Sequence, residues 1–111
     1  MNRPESNTAG AIVDFRVDKD TNFKRTIEIT VDGTMPDLNY WEAELVVFWP
    51  KTCKEIKVWS ITSGDLVISG LGTIDWNILI EIEAGKYEYY FLVVDDLGDP
   101  VKYFKGRFIV E

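Results

Sequence analysis

A chain of 111 residues, 46% apolar and 28% charged, has the length of one domain and enough apolar material to build a core. A domain of this size buries roughly two-thirds of its unfolded surface, so it needs neither disulfides nor a structural metal. Its net charge of −7 makes nucleic acid and anionic membrane surfaces poor partners, since both are held through clustered Lys and Arg. The lack of histidine removes Ser-His-Asp and Cys-His triads and most zinc sites, and a single cysteine removes an internal disulfide.

In chain order, residues 1–9 are polar and unpatterned and read as a flexible arm rather than a secretory signal. Residues 10–111 read as one β-domain. Val13, Phe15 and Val17 alternate with Asp14, Arg16 and Asp18, which predicts a strand. Lys19 to Asn22 is a polar turn. Ile27, Ile29 and Val31 then alternate with Glu28 and Thr30, and Asp32-Gly33 closes that strand.

Pro36 to Asn39 is a loop. Trp41 to Trp49 follows as a strand, with Trp41, Ala43, Leu45, Val47 and Trp49 on one side and Val46 and Phe48 on the other. A strand apolar on both faces is central in its sheet or covered by another chain. Its apolar run, Leu45 to Trp49, is far short of the roughly 20 residues of a membrane-spanning helix. Pro50 to Lys54 is a connection. Cys53 within it reads as a partly buried small hydrophobe or an incidental thiol. Ile56 and Val58 form the next strand, and Leu66 to Ser69 a short one.

The clearest period of two comes next. Ile74, Trp76, Ile78, Ile80 and Ile82 share one face, and Asp75, Asn77, Glu81 and Glu83 the other, with Leu79 the exception. After a turn at Ala84 to Lys86, Tyr87, Tyr89 and Phe91 alternate with Tyr90, Leu92 and Val94. Asp95 to Pro100 is a turn, and Val101 to Val110 is the closing strand. Gly106 interrupts that strand, which predicts a bulge or a close backbone approach. About eight short strands with turns between them, and no helical stripe, predict an all-β, immunoglobulin-like antiparallel sandwich of about 7–8 strands. The Cys-Trp-Cys spacing of antibody domains is absent.

The residues provide little chemistry. There is no GxGxxG and no P-loop, so an enzyme would depend on carboxylates alone. Asp95, Asp96 and Asp99 share one turn, and Asp14, Asp18 and Asp20 share another region. Either set has the oxygen ligands calcium takes, but short Asp side chains in turns more often bond their own backbone. No cofactor, metal or catalytic residue is expected. Four Trp, five Tyr and six Phe exceed what one small core needs, which places some of them on the surface. Trp41, Trp49 and Trp59 lie outside the strongest core stripe and are the candidates for an aromatic sugar-binding platform. Tyr40, Trp49 and Trp59 are the candidates for contact with a partner.

The order of motifs resembles the small immunoglobulin-like virion proteins of tailed bacteriophages, similar to baseplate and tail-fibre anchoring domains. The resemblance rests on the strand Ile12 to Val17, the Asp37-Leu38 loop, the strands Trp41 to Phe48 and Trp76 to Ile82, Gly85-x-Tyr87-x-Tyr89, Asp96-Leu97-Gly98, and Gly106-x-Phe108-x-Val110. It spans residues 11 to 110. Two departures stand out: Tyr90-Phe91-Leu92 replaces the family's Tyr-Asp-Leu, and the connection from Pro50 to Ile56 lacks the usual Arg. The resemblance implies a non-enzymatic structural protein, made in the host cytoplasm and located in the virion. Its implied partners are other virion proteins of head, neck, tail or baseplate, and copies of itself within the assembly. A glycan-binding sandwich that uses exposed aromatics is the alternative.

Overall fold

The computed structural model describes residues 11–111, so the arm expected over residues 1–9 lies outside the described residues. Among the described residues the secondary structure is entirely β. The strands are β1 (Ala11–Ile12), β2 (Phe15–Val17), β3 (Asn22–Glu28), β4 (Glu42–Phe48), β5 (Glu55–Ser60), β6 (Leu66–Gly70), β7 (Thr73–Leu79), β8 (Gly85–Val94) and β9 (Pro100–Val110).

They form two sheets. In the larger, β9, β8, β4 and β5 are neighbours in that order, and both β1 and β2 lie along the free side of β9. In the smaller, β7 sits between β3 and β6. All pairings are antiparallel except those of β1 and β2, which run parallel to β9. This is an immunoglobulin-like sandwich: β3, β7 and β6 take the places of strands B, E and D, and β4, β8 and β9 those of C, F and G. Strand β5 extends the second sheet.

The period-two stripes become the core. Ile74, Trp76 and Ile78 of β7 face Ala43, Leu45 and Val47 of β4 and Tyr87, Tyr89, Phe91 and Val93 of β8, all within one apolar cluster. Leu79 is exposed, as its break in the stripe implies. Strand β4 is central in its sheet. The side chain of Val46 points away from the core but is only 2% exposed, because it lies in register between Val58 and Tyr90.

Four features differ from the pattern read along the chain. The second long strand is β3, Asn22–Glu28, rather than Ile27 to Val31. Its inward positions are Phe23, Arg25 and Ile27, in register with Ile78, Trp76 and Ile74. An arginine in the middle of the stripe hides the alternation. Its guanidinium lies 4.5 Å from the centre of the Phe23 ring and 5.7 Å from that of Phe15, closing the open edge between the sheets by a cation–π contact. Cys53 is exposed rather than partly buried, on a turn residue with φ of 57°. Gly85 begins β8 instead of lying in the preceding turn.

The fourth difference is a break in the leading strand. Residues 12–17 do not run continuously: β1 and β2 are separated at Val13 and Asp14. Gly106 is the cause, because a Cβ there would collide with the carbonyl of Val13. The break is closed by specific bonds. The Val13 amide donates to the Lys105 carbonyl (2.8 Å), the Arg107 amide donates to Asp14 Oδ1 (2.8 Å), and the Tyr89 hydroxyl donates to the Val13 carbonyl (2.6 Å). A second tyrosine, Tyr87, opens β8 and donates its hydroxyl to the Glu83 carbonyl (2.7 Å). That is the tyrosine corner of immunoglobulin-like sandwiches.

Gly106→Ala is therefore expected to destabilise the fold by about 1–3 kcal/mol, since the backbone carbonyl it meets cannot rotate away as a side chain would. Urea denaturation of the two proteins checks this. The Tyr89 phenol is held well above its ordinary pKa, first by burial and then by the Asp14 carboxylate. A raised folded-state pKa favours the native state while the phenol is protonated in both states. That contribution is fully present below about pH 10, the unfolded value, and is lost as pH rises beyond it. Tyr89→Phe is expected to reduce the steepness of alkaline unfolding above about pH 10, measured as melting temperature against pH.

Candidate interaction surfaces

The residues with binding potential fall at opposite ends of the sandwich. The ends are defined by β8: Val94 lies in register with Glu42, and at the other end Gly85 pairs with Val110. The molecule is 38 Å along its longest axis.

At the first end, the loop into β4 makes a tight turn. The Trp41 amide donates to the Leu38 carbonyl (3.0 Å), and Asp37 Oδ1 accepts from the Asn39 amide (3.0 Å). Leu38 is buried and Trp41 packs partly against the core. Tyr40 between them is 93% exposed, with φ of 68°. A bulky residue in left-handed backbone is uncommon and costs energy, and here it turns a whole aromatic ring into solvent.

Beside it, the β8–β9 loop is tied by Asp95. Its Oδ1 accepts from the amides of Leu97 (2.9 Å) and Asp99 (2.8 Å), and its own amide donates to the Asp99 carbonyl (2.9 Å). The clustered aspartates thus include one whose carboxylate is used to build the loop. The loop holds Leu97 out at 83% exposure, flanked by the exposed Asp96 and Asp99. Met35, Val31 and Leu71, also exposed, sit on the other loops at this end. Among the described residues, no group of three or more His, Cys, Asp or Glu side chains is placed to hold a metal ion.

Glu42 anchors the base of this end. Burial alone would raise its carboxyl. Bonds donated by Thr62 Oγ1 and by the amides of Ala43, Thr62 and Ile61 outweigh burial and hold it below the usual carboxylate range.

At the second end, β4 runs out into Trp49 and Pro50. The 49–54 turn is closed by the Trp49 amide donating to the Lys54 carbonyl (3.0 Å) and the Cys53 amide donating to the Trp49 carbonyl (2.8 Å). The Trp49 ring lies 4.7 Å from the Tyr87 ring, tilted by 42°, and remains 41% exposed. In front of it is an open cavity of about 560 Å³ lined by Trp49, Pro50, Lys51, Thr52, Lys54 and Lys86. A second cavity, of about 260 Å³, shares Pro50 and Lys86 and adds Arg16, Arg107 and the acidic Glu88.

Arg16 is bridged to Glu111 at 2.6 Å, and Lys19 to Glu83 at 3.4 Å. Lys51, Lys54 and Lys86 make no ion pair among the described residues. A chain of net charge −7 thus carries a local cluster of three lysines, without ion pairs among the described residues, around a half-open indole.

The candidate partner residues are therefore separated. Tyr40 lies at the acidic, apolar end and Trp49 at the basic end. Trp59 is only 2% exposed and packs in the core against Phe108. Its register with Leu45 places it on the inner face of β5, whereas Val58, read from the sequence as the apolar side opposite Lys57 and Trp59, pairs with the outward Val46. Leu97 and the lysines were not singled out by pattern. Lys51 and Lys54 share a turn, but Lys86 joins them only through the pairing of β4 with β8. Comparison of the chain with family models, curated proteins and solved structures finds no match.

Glu42→Gln is expected to cost about 1–2 kcal/mol at neutral pH, where the carboxylate accepts its bonds. Because the folded pKa is lowered, this contribution is present above the unfolded pKa of about 4.3 and is lost as pH falls through the folded value. The gap between variant and wild-type stability should therefore close in acid, which thermal melts from neutral to acidic pH would measure.

Proposed function

We propose that this chain is a non-enzymatic structural module of a tailed-phage virion, an immunoglobulin-like unit that decorates or joins head, neck or tail and baseplate components through protein–protein contacts. The fold and the order of its motifs support this reading. The observation that carries it is the pair of outward residues, Tyr40 and Leu97, at 93% and 83% exposure on turns tied by their own hydrogen bonds. Large apolar side chains held rigidly in solvent lose little entropy when a partner covers them, which is how interface anchors are built. Loops at one end of a sandwich are also where this fold places binding residues.

The glycan-binding alternative has less support. A sugar platform uses exposed, roughly coplanar rings. Trp59 is in the core, Trp41 is half-buried, and Trp49 has as its neighbour the buried Tyr87 at a 42° tilt.

Mass spectrometry of purified particles is expected to find the protein in the virion, and its absence would overturn the proposal. Tyr40→Ser should leave the melting temperature unchanged and lower incorporation by about tenfold, the effect of losing one interface anchor.

A further inference from the structure

The two ends of the sandwich are complementary in charge and in shape. One presents a knob: Leu97, with the Asp96 and Asp99 carboxylates beside it, on a loop held in place by Asp95. The other presents a socket, the 560 Å³ cavity floored by Trp49 and Pro50 and rimmed by Lys51, Lys54 and Lys86. Within one molecule the knob follows the last residue of β8 and the socket's Lys86 is near its first, so a ten-residue strand holds them apart. A ten-residue strand spans about 30 Å, and the chain's own loop cannot fill its own socket.

We propose that the Asp96–Leu97 tip of one copy seats in the Trp49 cavity of the next, so that copies of this chain join head to tail. Leu97 covers the exposed part of the Trp49 ring, and the aspartates meet the three lysines. The contact rests on the reading of the chain as an assembly module and names its partner as a second copy.

Three considerations favour this occupant over others. The lysines make no ion pair among the described residues, so an incoming carboxylate displaces none of the ion pairs seen there. The knob is already ordered by the Asp95 bonds, which lowers the entropy cost of docking. The net charge of −7 opposes random association of copies, so only an orientation that brings acid to base is attractive. A head-to-tail contact is heterologous and continues into a ring or an open row, in which each weak junction is reinforced by its neighbours.

The test uses sedimentation velocity on the full chain and two surface variants. The head variant is Asp96→Ser with Leu97→Ser, and the tail variant is Lys54→Ser with Lys86→Ser. Wild-type protein is expected to grow in mass with concentration up to about 1 mM. Each variant alone should stay monomeric. An equimolar mixture should give a dimer that grows no further, because only one junction, the tail variant's knob in the head variant's socket, is intact. In the wild type, the Trp49 indole resonance should shift with concentration while those of the buried Trp59 and Trp76 stay fixed. This NMR measurement does not depend on the variants folding.

A wild type that is monomeric throughout overturns the proposal. So does self-association that survives both variants, or a mixture that stays monomeric. An acidic oligosaccharide that binds at Lys54 and Lys86 while the chain remains monomeric also overturns it. Particles that contain the protein while the free chain is monomeric would refute the head-to-tail contact and leave the virion reading intact. Assembly in solution with no protein in particles would do the reverse.

Discussion

Hydrogen bonds tie strands within a sheet, so two stacked sheets must be joined by side chains, and in this molecule the joining material is aromatic. Phe15, Phe91, Phe104 and Phe108 from the larger sheet meet Phe23 and Trp76 from the smaller, and Tyr89 packs against Phe15, Phe104 and Phe108 behind them. The rings lie mostly edge to face or tilted at 5–6 Å, for example Phe15 on Phe23 at 5.1 Å and Trp76 on Phe91 at 4.9 Å. Such pairs contribute about 0.5–1.5 kcal/mol each beyond the burial of their area. Antibody domains link the same two strands with a disulfide. Here Phe23 of β3 and Tyr89 of β8 contribute to a shared aromatic cluster instead. Among the described residues, the buried Trp76 indole nitrogen has no hydrogen-bond partner.

This aromatic layer also determines where the chain can present function. With so many rings committed to the interior, the strands offer few large side chains to solvent. The two most exposed, Tyr40 and Leu97, fall in turns, where backbone bonds rather than packing hold them. Tyr40 stands out because Leu38 and Trp41 on either side are drawn inward. Leu97 stands out because Asp95 uses its carboxylate to close the loop beneath it. The first-strand break belongs to the same economy of backbone bonds. Gly106 admits the Val13 carbonyl, and Tyr89, whose ring lies in the core, satisfies that carbonyl with its hydroxyl.

The polarity of the two ends follows from strand order. The 95–99 loop is acidic and the 49–54 turn is basic, and the antiparallel register of β4 on β8 places them at opposite ends. The same register brings Lys86 to Lys51 and Lys54 across more than thirty positions of sequence. A single charge total describes neither end: the molecule is acidic overall and basic around Trp49.

Much of the fold was legible in the residue order. The Ile74 to Ile82 stripe and the Tyr87, Tyr89 and Phe91 stripe are inward in the structure. The doubly apolar Trp41 to Trp49 segment contains a central strand, and Gly106 marks a close backbone approach. These are local signals, because side-chain alternation and the missing Cβ of glycine act through the chain itself. The misplaced strand at Arg25, the burial of Trp59 and the socket around Trp49 were not legible. Each depends on what lies across from a residue in space: the Phe15 ring that an inward arginine can cover, the core face that closes over β5, the strand that delivers Lys86. By itself the sequence determined a sandwich with an aromatic core. Only the tertiary structure decided which rings remained outside it, because exposure depends on neighbours that strand pairing brings together.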